Sequence, residues 1–176
     1  LLADTPLTTA ETASVFGEML TLQALRNTIT DADELLPLLL SKIDDSIATV
    51  FRQVAMNRFE HRIHTHRRER GELEARDFNE HWLATQQEMF GDACQISQDY
   101  THWWSYIPHF LHTPGYVYAY AFGELLVLSL YAKYQTMGSS FANLYLELLE
   151  AGGSNYPHEL LKPFGIDLNE SSFWQE

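Results

Sequence analysis

Two groups of residues in this sequence have the types and spacing to do chemistry, and a third only looks as if it does. Glu11 and Glu18 stand seven positions apart, two turns of an α-helix, and so share a line with Ser14, Val15, Leu22, Leu25 and Ile29. Burying a carboxylate is costly unless a metal, a cation or several donors satisfy it. Spacing alone leaves two readings. Either the pair serves a metal or a catalytic step, or the first two turns emerge into solvent with Glu11 favoured by the helix dipole. The second group is His109, His112, Tyr116 and Tyr120, in which the two tyrosines are four apart on one helical face just after the histidines. Hydroxyls and imidazoles gathered in a cleft can donate to a developing oxyanion. Aromatic packing is the alternative.

The third group is His61, His64 and His66. His61 and His64 could share a face and bind a metal. However, seven of the eleven basic residues (Arg52, Arg58, Arg62, Arg67, Arg68, Arg70 and Arg76) surround them, interleaved with Glu60, Glu69, Glu72 and Glu74. That pattern reads as a solvated, ion-paired helix face. The segment His158-Glu159-Leu160-Leu161-Lys162 begins like the zinc-protease motif H-E-x-x-H, but Lys162 replaces the second histidine and an ammonium is no ligand. No intact H-E-x-x-H occurs in the 176 residues.

These residues need helices to position them. Thr8 followed by Glu11 reads as a capping box opening a helix that runs to about Asn27. Asp31 to Glu34 opens a second, in which Leu36, Leu40, Ile43, Ile47, Val50, Phe51 and Val54 recur at helical period, with Pro37 tolerated in the first turn. Extended through His66 it has about 33 residues and spans roughly 50 Å, against a radius of gyration of about 16 Å for a domain of this length. Such an overhang points to a missing piece. Asp77 is read as the N-cap of a helix over Phe78 to Phe90, and Tyr100 to Pro114 as an irregular, partly buried aromatic stretch. Tyr116 to Tyr134 is an apolar helix, Gly138-Ser139 starts another that Gly152-Gly153 ends, and a short helix lies near Glu159 to Phe164. With no β-alternation and no repeat, the fold class is all-α, a helical bundle.

A chain of 176 residues and 20.3 kDa is expected to form a single helical domain with one core. Its net charge of −13 argues against nucleic acid or an anionic membrane as the main partner. Cys94 alone forms no internal disulfide, so the setting is read as cytoplasmic. The apolar run carries Glu124, which would cost about 2.5–3.5 kcal/mol at a bilayer centre, so it is read as a buried helix. The opening residue is Leu1, with no leader pattern, and the chain is read as a fragment.

Four blocks, in order, carry a resemblance: Pro6-Leu7-Thr8-Thr9-Ala10-Glu11-Thr12-Ala13-Ser14-Val15-Phe16-Gly17-Glu18, then Arg52 to Glu60, then Ile107-Pro108-His109-Phe110 with Tyr116 to Gly123, and Ala151-Gly152-Gly153-Ser154. Together they closely resemble the C-terminal portion of oligoendopeptidase F, a family grouped with thimet oligopeptidase among the zinc oligopeptidases. In that family zinc is held by the two histidines of H-E-x-x-H and a glutamate on a following helix. The resemblance therefore implies that Glu11 is the third ligand and that Glu18 orients a ligand histidine. It also implies zinc-assisted hydrolysis of short oligopeptides with the motif glutamate as base, and His109, Tyr116 and Tyr120 stabilising the tetrahedral intermediate. Gly115 stands where the family pattern has an aromatic, and His109 and His112 both remain candidates for the histidine. The motif helix is absent, so the chain is expected to hold no zinc tightly, to be inactive alone, and to self-associate through the face of Val15, Leu22 and Leu25. The alternative is a non-enzymatic helical interaction or oligomerisation module.

Overall fold

The computed structural model describes residues 4–174, and these form helices, turns and loops without a strand, the all-α class expected. Helix α1 spans Thr12–Thr28, three residues later than the capping-box reading places its start. Thr8 caps nothing. The chain first makes two tight turns, Thr9 N–H to the Pro6 carbonyl and Thr12 N–H to the Thr9 carbonyl, and Glu11 becomes the N-cap residue. Helix α2 (Ala32–Ile47) passes through a π-helical segment, Ala48–Arg52, into α3 (Gln53–Arg70), so the long predicted helix forms with one irregular turn in it. Helix α4 is Ala75–Phe90, α5 is His109–His112, α6 is Tyr118–Met137, α7 is Ser139–Ala151 and α8 is Pro157–Leu160. Short 3-10 turns occupy Gln98–Tyr106, Lys162–Phe164 and Ser171–Trp174. Among the described residues no helix is long and apolar enough to cross a membrane.

The chain divides into two compact units, each with its own apolar cluster, where one core was expected. The first unit runs through Ser46 and resumes at Phe122. Its core is Val15, Phe16 and Met19 of α1, Leu126, Val127 and Leu130 of α6, Phe141 and Leu148 of α7, with Leu161, Phe164, Ile166 and Phe173. Phe16 lies 4.4 Å from Tyr145 and 5.6 Å from Phe141, centroid to centroid. The α1 stripe expected to face a missing helix is thus split. Val15 is core and Leu22 packs against it, because the aliphatic residues of α6 and the aromatics of α7 cover them; only Leu25 stays exposed. Helix α2 buries none of its residues, so the apolar stripe Leu36, Leu40 and Ile43 is exposed instead. Buried Glu124 accepts from Lys42 Nζ at 3.0 Å and Ser46 Oγ at 2.9 Å, joining α6 to α2. Gly153 is required by close approach, since a Cβ there would overlap the Asp4 carbonyl oxygen.

The second unit, Ile47–Ala121, is built on α3 against α4. Its core is Met56, Phe59, Ile63, Trp82 and Val117. Phe59 meets Trp82 edge-on at 5.4 Å, and Trp82 Nε1 donates to the Tyr100 carbonyl at 3.1 Å, which ties down the aromatic stretch. Asp77 does not cap α4 as predicted. Glu74 is the N-cap and Asp77, three residues on, reaches back to the Glu74 N–H at 2.7 Å. Either acid suits the first turn, and the reciprocal bonds decide which position each takes.

Candidate active site

In the second unit, Thr113-Pro114-Gly115 turns the chain between α5 and α6. Tyr116 N–H bonds the Thr113 carbonyl at 3.2 Å, and Ala119 N–H bonds the Tyr116 carbonyl at 2.8 Å as α6 begins. Gly115 has φ +80°, in the left-handed region that favours glycine. Any L-residue at this position would be strained. This turn brings three of the predicted residues together. His109 Nε2 is 3.0 Å from the Tyr120 hydroxyl; the ring of Tyr116 lies 5.2 Å from that of Tyr120 and 6.1 Å from that of His109. All three are half-buried, whereas His112 is exposed and is not part of this cluster. A tyrosine hydroxyl can be donor or acceptor in such a contact, so the imidazole tautomer sets which way the 3.0 Å bond runs.

In the first unit, Glu11 is half-buried at the head of α1, and its carbonyl accepts from Val15 N–H and from Ser14 Oγ, both at 3.1 Å. Its side chain packs against α6 at Gly123: a Cβ built on Gly123 would lie 2.8 Å from Glu11 Cβ. Glu18, two turns on, is exposed and borders a shallow cavity of about 320 Å³ with Leu22, Leu25, Leu38 and Lys42. Among the described residues no three His, Cys, Asp or Glu side chains are grouped so as to hold a metal ion. A carboxylate suits zinc, but a zinc site needs three or four protein ligands, so these residues fit the metal only as contributors to a larger set.

The remaining histidines go elsewhere. His61 and His64 are exposed, while His66 Nδ1 faces His81 Nε2 at 3.1 Å between α3 and α4. Burial, then the neighbouring His66 and Arg62, hold the His81 pKa below its usual value. His81 was not singled out from sequence, because only the packing of α4 on α3 reveals the pair. His158 and Lys162 both contact the half-buried Glu159, an ion-paired turn in place of a metal motif. One buried acid was also missed: Glu60, whose Oε1 accepts the Gly115 N–H at 2.8 Å. The available signal was an acid set among Met56, Phe59 and Ile63 on one helical face.

Comparison with known proteins gives a consistent picture. The family described as Peptidase family M3 matches residues 2–176. The sequence is 33% identical over 159 residues to oligopeptidase PepF of Bacillus subtilis, covering 90% of this chain and 24% of that protein. It is 30% identical over 163 residues to an oligoendopeptidase F homolog of Borreliella burgdorferi, covering 93% of this chain and 28% of that protein. The crystal structure of oligoendopeptidase-F from Enterococcus faecium is similar with a TM-score of 0.82 at 27% identity, covering 97% of this chain and 33% of that one. The chain therefore spans about a quarter to a third of the length of these relatives.

Proposed function

The chain belongs to Peptidase family M3, and from that premise we propose that it is the part of a zinc oligopeptidase that supplies one metal ligand and the oxyanion donors for cleaving short oligopeptides. The observation that carries this reading is the cluster of His109, Tyr116 and Tyr120, in which a 3.0 Å bond between imidazole and phenol and a neighbouring ring set hydroxyls at one place. Zinc, when bound, polarises a peptide carbonyl and makes water a competent nucleophile near neutral pH. The chain's own residues do the rest of what falls to it. Glu11 provides a carboxylate ligand, and Glu18 orients a ligand histidine by accepting its second ring N–H. Tyr116 donates a hydrogen bond from its hydroxyl to the carbonyl oxygen as charge develops there, a contact worth more in the transition state than in the ground state. His109 holds the Tyr120 hydroxyl and the tautomer that suits it. Having one ligand and no H-E-x-x-H base, the 176-residue chain has no turnover of its own. A cytoplasmic setting agrees with its single, exposed, free Cys94.

The test is hydrolysis of a quenched fluorescent peptide by the full-length enzyme that joins this chain to a segment bearing H-E-x-x-H. Expected are chelator-sensitive turnover, its loss in Glu11→Ala, and none by the 176-residue chain alone. Chelator-resistant cleavage, or turnover by the chain itself, would overturn the reading.

A further inference from the structure

Glu60 takes no part in the chemistry above, yet it is 3% exposed on α3 beside Phe59, which is itself fully buried. A carboxylate in such a place is costly unless it is bonded to something that needs it. Among the described residues no cation pairs with it, and Arg58 and Arg62 on the same helix both pair with Glu88. Oε2 is buried with no hydrogen-bond partner. What Glu60 does hold is one backbone amide, 55 residues away in sequence: its Oε1 accepts the Gly115 N–H at 2.8 Å. A carboxylate oxygen shielded from water makes that bond count for more than it would at the surface.

The bonded amide sits at a sensitive place. Thr113, Pro114 and Gly115 are all exposed and gain little from packing, and Gly115 is free to leave φ +80° because glycine has many other conformations open to it. The next residue is Tyr116, whose N–H closes the turn onto Thr113 and whose ring lies beside His109 and Tyr120. Without an anchor at Gly115, an exposed glycine hinge would precede the tyrosine directly.

We propose that Glu60 is a positioning residue: by holding the Gly115 amide from the buried side it fixes the 113–115 turn, and with it the aim of Tyr116 at the reacting carbonyl. This rests on the reading that Tyr116 donates to the oxyanion. A donor misplaced by an ångström can lose up to about a hundredfold in rate, while substrate affinity, set by the rest of the cleft, stays nearly constant.

The test uses the full-length enzyme with Glu60→Asp and Glu60→Gln. Glu60→Asp keeps a carboxylate but retracts it by one methylene, out of reach of Gly115. It should lower kcat about 10- to 100-fold, leave KM within about twofold and leave zinc content unchanged. Glu60→Gln keeps an oxygen that can accept the same N–H and should restore kcat to within about threefold of wild type. Hydrogen–deuterium exchange of the peptide covering residues 113–117 gives a readout independent of activity, with faster exchange in Glu60→Asp and near-wild-type exchange in Glu60→Gln. Wild-type kcat and exchange in Glu60→Asp would overturn the proposal, as would equal damage from both variants with KM and zinc content altered alike. Should Tyr116→Phe leave kcat unchanged, the reading of the site fails, and the exchange data still decide whether Glu60 anchors the turn.

Discussion

Gly123→Ala tests the packing that seats Glu11. The new Cβ would stand 2.8 Å from Glu11 Cβ, 3.7 Å from Cγ and 3.8 Å from the backbone carbonyl carbon. Contacts below 3.0 Å are essentially never seen, and reaching even 3.4 Å requires a displacement of 0.6 Å. Because the atom met is Cβ, rotation of the side chain gives no relief, and the head of α1 must move. Overpacking of this kind costs about 1–3 kcal/mol, which corresponds to a melting temperature lower by roughly 2–12 °C in a protein of this size. A metal site tolerates ligand displacements of about 0.2 Å, so the shift exceeds that margin. Zinc retention in the full-length enzyme, measured by competition with a chelator, should weaken about 10- to 100-fold, the range typical of disturbed ligand support. Gly17→Ala is the control on the same helix, because its Cβ meets nothing within 4 Å. It should stabilise by about 0.5–1 kcal/mol through helix propensity and leave zinc alone. Wild-type melting and zinc retention in Gly123→Ala would refute the reasoning.

Four further outcomes are expected. In the full-length enzyme Glu11→Ala should lose zinc together with activity. Tyr116→Phe should keep zinc and lower kcat about 10²–10³-fold, as read by peptide hydrolysis and metal analysis. Lys42→Met leaves Glu124 buried without its cation and should cost about 3 kcal/mol in urea unfolding, much of it recovered by adding Glu124→Leu. The lowered His81 pKa means the folded state favours neutral imidazole, so its contribution is complete above the unfolded value of 6.5 and is lost as pH falls through the folded value. Unfolding free energy should therefore drop on acidification below 6.5, and His81→Gln should flatten that part of the profile.

Helices were legible because their signals are local. The period of Leu36, Leu40 and Ile43 predicts α2, and the positive-φ glycines Gly71 and Gly91 stand at the C-caps that end α3 and α4. Boundaries failed where one sequence supports two hydrogen-bond patterns. Thr8 to Glu11 fits a capping box and also two successive turns, and Glu74 competes with Asp77 for the start of α4. What covers a face is not local. Periodicity gives α1 and α2 each an apolar side, but only the pairing of α1 with α6 and α7 decides that Val15 is core while Leu40 is exposed. The division into two units has the same origin, since it depends on Phe122 and the residues after it rejoining the chain before Ser46.

The candidate site divides along the same line. Tyr116 and Tyr120 could be paired from their spacing of four. The partnership of His109 with Tyr120, and not of His112, depends on how the turn at Thr113 to Gly115 rotates one element relative to the next. Glu11 is the harder case, because spacing can place a carboxylate on a face but cannot say what ion it serves. The resemblance gave Glu11 a role, and the structure supplies a physical constraint that neither spacing nor resemblance contains. Gly123 has no side chain where Glu11 comes close, so α6 sets the depth at which that carboxylate stands. A position that admits only glycine on an otherwise well-formed helix is a steric fact, readable only once both helices are in place.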